Sequence, residues 1–118
     1  MIEILLVGIG GSAGALARFG VGRLVSSRSF PWATVGVNVV GSAILGVVLF
    51  APTDSAAALL VGVGFCGAFT TFSSFSYHTV TLWDETSSRV ATVHAVGTLL
   101  AALIAFGIGA VLGTHAPL

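Results

Sequence analysis

Residues 64–78, GFCGAFTTFSSFSYH, gather four phenylalanines, five serine or threonine hydroxyls, a tyrosine and a histidine into one otherwise apolar run. Hydroxyls both donate and accept hydrogen bonds, and a phenyl ring carries a positive edge around a negative face. Such a set suits the binding or passage of something small and polar. It does not suit bond-breaking chemistry, which asks for positioned carboxylates or a histidine with an orienting partner. No carboxylate falls within an apolar run: Glu3 stands at the start of the first, and Asp54, Asp84 and Glu85 occupy links. No zinc-protease, phosphate-loop or nucleophile-elbow pattern is present. The chain therefore reads as a protein that is not an enzyme.

Other polar residues stand inside apolar runs, where their cost makes them functional candidates. Asn38, in TVGVNVVG, follows Thr34 by one helical turn and offers a carboxamide with donors and acceptors. It can serve a polar pathway or act as a hydrogen-bonded link between helices. Arg18 reads equally as an interfacial anchor reaching outward or as an attractor of anions. His94, Thr98 and Ala102 follow one another at four-residue spacing on one helix face. In GAFTTFSSF, Phe69, Phe72 and Phe75 recur every three residues, which on a continuous helix makes one slowly drifting stripe. The glycine and paired threonines also fit a broken helix whose freed carbonyls bind a cation. Ser73, Ser74 and Ser76 offer hydroxyls beside the rings.

These residues must be carried by membrane helices. Of 118 residues, 56% are hydrophobic and 7% charged, with mean hydropathy +1.10, against roughly 25% charged residues in soluble domains. Apolar runs and breakers predict four spans, 2–22, 31–50, 55–82 and 90–112, in one all-α transmembrane domain covering 1–118. Pro31 suits the start of the second span, and Asp54 or Ser55 the N-cap of the third. Trp32 and Trp83 fall where headgroups are expected. Gly10 and Gly14, Gly109 and Gly113, and Gly36 and Gly41 mark faces on which helices can approach closely. Arg18, Arg23 and Arg28 follow the first run rather than precede it, so that run is expected to stay as a span instead of being cleaved. Net charge is zero and lysine is absent, so no nucleic-acid partner is expected. Cys66 is the single cysteine, which excludes an internal disulfide and a multi-cysteine metal site.

The arginines also predict an orientation. The first and third links carry Arg23, Arg28 and Arg89, while the second link and both termini carry neither Lys nor Arg. The positive-inside rule then places the first and third links in the cytoplasm and both termini outside the cell membrane.

Three motifs together, GGSAGALARF (residues 10–19), TVGVNVVGSAILG (34–46) and GFCGAFTTFSSFS (64–76), closely resemble the CrcB, or Fluc, fluoride channels, and the resemblance runs through all four spans. It implies a passive fluoride channel that exports the anion from the cytoplasm and so reduces fluoride toxicity. It implies an antiparallel dimer of four-helix subunits with a broken third helix, two fluoride pathways and a sodium ion at the dimer interface. Carried onto this chain, it makes Asn38 the pore asparagine and Phe72 and Phe75 the rings that face fluoride. Thr34 is a pore-associated threonine, Thr98 stands in the place of a pore serine, and Arg18 is the arginine of the first helix; Ser74 joins the pathway set on the reading of the residues alone, as a hydroxyl beside the rings. Gly67 and Thr70 match the helix break whose backbone carbonyls hold Na+. The chain departs from the family on its fourth span, where His94 replaces a common tyrosine and Ala102 a second serine, thinning the polar track.

A charge-biased chain inserts one way, so an antiparallel dimer asks for an oppositely oriented paralogue in preference to a second copy of itself. Two other readings compete. A small multidrug-resistance-type exporter needs a glutamate in the first span, and residues 4–17 contain none. A non-conducting membrane subunit of a heterodimer fits the glycine faces but leaves Asn38 and TTFSSFS unexplained.

Overall fold

The computed structural model describes residues 1–26 and 29–117 and contains helices and no strand among them. Arg28 lies outside the described residues. The helices are α1 (Ile2–Leu24), α2 (Trp32–Phe50), α3 (Ser55–Ala57), a π-helical stretch (Ala58–Cys66), α4 (Gly67–Phe69), α5 (Phe72–Glu85) and α6 (Ser88–Thr114). Four stretches are long and apolar enough to cross a membrane: α1, α2, the run Ser55–Glu85 and α6. At 1.5 Å per residue, α1 reaches about 35 Å, α2 about 29 Å and α6 about 40 Å, against a hydrocarbon core of about 30 Å. This is a multi-pass membrane protein.

The links explain where the helices begin. Asp54 Oδ1 accepts from the Ala57 N–H at 2.9 Å and Ser87 Oγ from the Val90 N–H at 3.1 Å, each meeting a donor that the first turn leaves free. Pro31, expected at the start of the second span, stands one residue before the helix.

Two close-packed pairs organise the bundle. α1 lies along the π-helical stretch and α4, while α2 lies along α6, and α5 rests on α6. Glycine makes both pairs possible. A Cβ on Gly10 or Gly14 would run into the carbonyls of Leu60 and Phe65, and one on Gly46 or Gly109 into those of Phe106 and Ala43. Without a hydrophobic drive between helices in lipid, this backbone-to-backbone contact is what holds them. Of the two glycines flanking Asn38, only Gly41 makes a close approach, to the Thr70 side chain, whereas Gly36 faces open space. Most large apolar side chains, such as Leu103, Ile104 and Ile108, point outward. The polar residues Thr34, Thr71, His94 and Thr98 are buried instead. This inversion of the soluble pattern is what lipid solvation of the outer surface requires.

Candidate functional site

The third span, Ser55–Glu85, is interrupted about halfway along. α4 ends at Phe69, α5 begins at Phe72, and Thr70 and Thr71 between them are extended, with ψ of 161° and 118°. Three side chains account for the interruption. Thr70 Oγ1 donates to the Cys66 carbonyl at 2.9 Å, closing the last turn of α4. Thr71 Oγ1 accepts from the Ser74 N–H at 3.0 Å and so caps α5. Asn38, from the middle of α2, grips the Thr71 backbone at two points. Its Oδ1 accepts from the Thr71 N–H at 2.7 Å and its Nδ2 donates to the Thr71 carbonyl at 3.1 Å.

The diverted donors have a consequence for the carbonyls. In a continuous helix the Thr71 N–H would close on Gly67 O and the Ser74 N–H on Thr70 O. Here the first goes to Asn38 and the second to Thr71 Oγ1, so Gly67 and Thr70 lose their i+4 partners. Arg18 approaches the Thr70 carbonyl through Nη1 at 3.5 Å, at the long limit of a hydrogen bond. Carbonyl oxygens are hard ligands suited to a hard cation. The described residues hold no group of three or more His, Cys, Asp or Glu side chains arranged for a metal.

Two cavities meet at this interruption. The first, about 440 Å3 and mostly apolar, is lined by Asn38, Gly67, Thr70, Phe72, Phe75 and Thr98, with Gly41, Ser42 and Ala102 among the rest. The second, about 1030 Å3, opens between the end of α1, the first link and α5, and holds Arg18, Thr34 and Ser74 with Tyr77, His78 and Glu85. Thr71 lines both. Six of the nine residues singled out from the sequence thus come together in one cavity, and Arg18, Thr34 and Ser74 lie on the other side of Thr71.

The expected stripe of Phe69, Phe72 and Phe75 does not form, because the extended residues turn the chain between the first and second of these rings. Phe69 is buried and stacks on Phe65, with centroids 5.3 Å apart. Phe72 and Phe75 form a separate pair, 5.9 Å apart and tilted by 37°. Phe72 is 80% exposed, so its ring is presented at the surface of the subunit rather than packed within it.

Hydrogen-bond capacity remains for a ligand. Asn38 Nδ2 carries two hydrogens and spends one on Thr71. Thr98 Oγ1 is buried without a hydrogen-bond partner among the described residues. Thr71 was visible in the sequence as half of a threonine pair, but its double role as cap and as the residue Asn38 holds was not. Thr79 and Phe30, which surround His94, had no signal that periodicity could supply.

A four-span bundle with an interrupted third span and polar groups beside two apposed aromatic rings is the architecture of a membrane transport protein. Residues 5–110 match the family model described as CrcB-like protein, Camphor Resistance (CrcB), and the chain belongs to that family. It is 49% identical over 113 residues to a Natronomonas pharaonis protein named fluoride-specific ion channel FluC 2, with 96% of each chain covered. A Haloarcula marismortui protein of the same name is 48% identical over 103 residues, 87% of each chain. The Thermus thermophilus fluoride-specific ion channel FluC is 39% identical over 120 residues, with 96% of each covered.

Proposed function

We propose that the chain is a passive, fluoride-selective channel of the cell membrane that lets cytoplasmic fluoride leave and so reduces its toxicity. The observation that carries this reading is the junction at Thr71. A single carboxamide holds an interrupted helix open and still has an N–H to offer the cavity shared by Phe72, Phe75 and Thr98. The names of the relatives supply the ion.

The physical problem is dehydration, since removing a small anion from water without replacement costs tens of kcal/mol in the Born limit. The second Asn38 N–H, the Thr98 hydroxyl and the positive edges of Phe72 and Phe75 replace water donors along the path, with Thr34 and Ser74 at its other end. All of these are neutral, so they compensate dehydration without trapping the ion, as conduction demands. Arg18, beside the wider second cavity, draws anions towards the mouth rather than holding them in the narrow part. No residue exchanges protons or electrons with the ion, and no enzymatic step is involved.

The functional unit is an antiparallel dimer with a broken third helix in each subunit. Phe72, exposed on one subunit, then faces the pathway of the other. The carbonyls of Gly67 and Thr70, released by the diverted Thr71 and Ser74 donors, fit Na+ at the dimer interface. A cation held there offsets the electrostatic cost of a nearby anion. Arg23 in the last turn of α1 and Arg89 in the first turn of α6 stand at the ends of the first and third links, and the positive-inside rule then favours both termini outside. That bias favours an oppositely oriented paralogue as the partner, and relatives carrying the numbers 1 and 2 in their names accord with paired genes.

Fluoride efflux from liposomes reconstituted with this chain alone, with a chloride control, tests the reading. Rapid fluoride-selective efflux supports the channel and removes the need for a paralogue. Absence of efflux alone, restored by co-reconstitution with the paralogue, supports the heterodimer. Absence in both preparations of folded protein refutes the channel.

A further inference from the structure

His94 is the one large side chain of the described core with no exposed surface, and the pathway as argued so far makes no use of it. Its surroundings are specific. The imidazole stacks on the Phe75 ring at 5.4 Å with 29° between planes, and the Phe30 ring closes on it edgewise at 5.5 Å. Nδ1 lies 3.0 Å from Thr79 Oγ1, and Thr79 Oγ1 in turn donates to the Phe75 carbonyl at 2.8 Å. A hydroxyl has one hydrogen. Since Thr79 gives its hydrogen to Phe75 O, the neutral imidazole carries its own on Nδ1 and donates it to Thr79 Oγ1. Nε2 is then a bare acceptor, buried and without a hydrogen-bond partner among the described residues.

This tautomer decides what the residue can do. The single N–H of His94 is committed to Thr79, so the ring has no donor left for an anion. What it has is a flat face against Phe75 and a tether that keeps that face from rotating. The tether returns to the helix that carries Phe75, one turn further on, so ring, tether and backbone form a closed loop of contacts between α5 and α6. We infer that His94, held by Thr79, is a positioning residue for the Phe75 ring: it sets the angle at which the ring edge meets the ion path. This rests on the reading of Phe75 as part of a fluoride pathway.

The test combines efflux with a readout independent of conduction. Thr79→Val keeps the shape and removes the tether, Thr79→Ser restores the hydroxyl, and His94→Phe keeps an aromatic face without an N–H. In the fluoride efflux assay Thr79→Val and His94→Phe each slow the initial rate roughly fivefold, the equivalent of about one neutral hydrogen bond. Thr79→Ser recovers most of the rate, and the double variant His94→Phe/Thr79→Val is no slower than either single one, because both remove the same tether. Nitrogen-15 NMR of the folded wild-type protein finds the proton of His94 on Nδ1, and the shift of that N–H moves upfield in Thr79→Val. A proton on Nε2 in the wild type, or additive losses in the double variant, overturns the inference. Wild-type rates in Thr79→Val beside a slow Phe75→Ala overturn it alone. Wild-type rates in Phe75→Ala overturn the fluoride-path reading of that ring and this inference with it.

Discussion

Replacing Asn38 with alanine removes both hydrogen bonds that hold Thr71 open, and the structure sets the scale of the effect. Hydrogen bonds between membrane helices average about 0.6 kcal/mol and reach about 1.7, whereas a buried polar group left unsatisfied costs about 1–3 kcal/mol. Thr71 is buried, so its N–H and carbonyl find no ready substitute from solvent. The N–H does have one alternative within the chain, Gly67 O, and taking it would wind the interruption back towards continuous helix. The expected net destabilisation of the open junction is therefore about 1–3 kcal/mol, which corresponds to a fall of roughly fivefold to 150-fold in the ratio of open to rewound junction. The assay is initial fluoride efflux from proteoliposomes at matched protein density, with circular dichroism to establish that the variant is folded. Asn38→Asp provides a second arm. It keeps the acceptor for the Thr71 N–H but sets an oxygen against the Thr71 carbonyl and a negative charge beside an anion path, so it should conduct less than Asn38→Ala. Efflux within twofold of wild type in Asn38→Ala would refute both the clamp and the place of Asn38 on the path.

Phe72 and Phe75 separate conduction from packing. Phe72→Ala removes a ring that is mostly exposed in the subunit, so fluoride efflux should fall several-fold with little change in thermal stability, whereas Phe75→Ala should lower both. Unchanged efflux in both would take the rings off the pathway. Gly109→Ala should weaken the α2–α6 contact by about 1–3 kcal/mol, since overpacking forces the backbones apart, and Gly36→Ala should leave the thermal midpoint unaltered, because nothing lies within 4 Å of a Cβ there. Equal midpoints for the two variants would contradict the packing described. Sodium at the carbonyls of Gly67 and Thr70 should stabilise the folded protein, by about 2.7 kcal/mol at a hundred times its dissociation constant, and so raise the thermal midpoint as its concentration rises. Identical melting in sodium and in choline buffers would argue against the site.

Much of the molecule was legible in its residues because each property is local. Four apolar runs in a chain with 7% charged residues can be stable only as membrane helices, since every backbone group in lipid must be satisfied within its own segment. The glycine pairs at 10 and 14 and at 109 and 113 announce close approach because absence of a side chain is itself a steric property. The motif around residues 64–76 carried the family. What the tertiary structure alone decided concerns partners distant in the chain. Asn38 could be read as a pathway donor or as a link between helices; it makes the link with one Nδ2 hydrogen left over, because Thr71, thirty-three residues away, is brought beside it. The three-residue repeat of phenylalanines promised one stripe, and that same distant clamp divided it by holding Thr70 and Thr71 out of the helix. His94 looked like any histidine near a helix start until α5 and the first link closed over it with Phe75, Thr79 and Phe30. Periodicity records which residues share a face of one helix. Which face of another helix they meet is set only when the glycine contacts lock the bundle, and the chemistry of this site arises at those meetings.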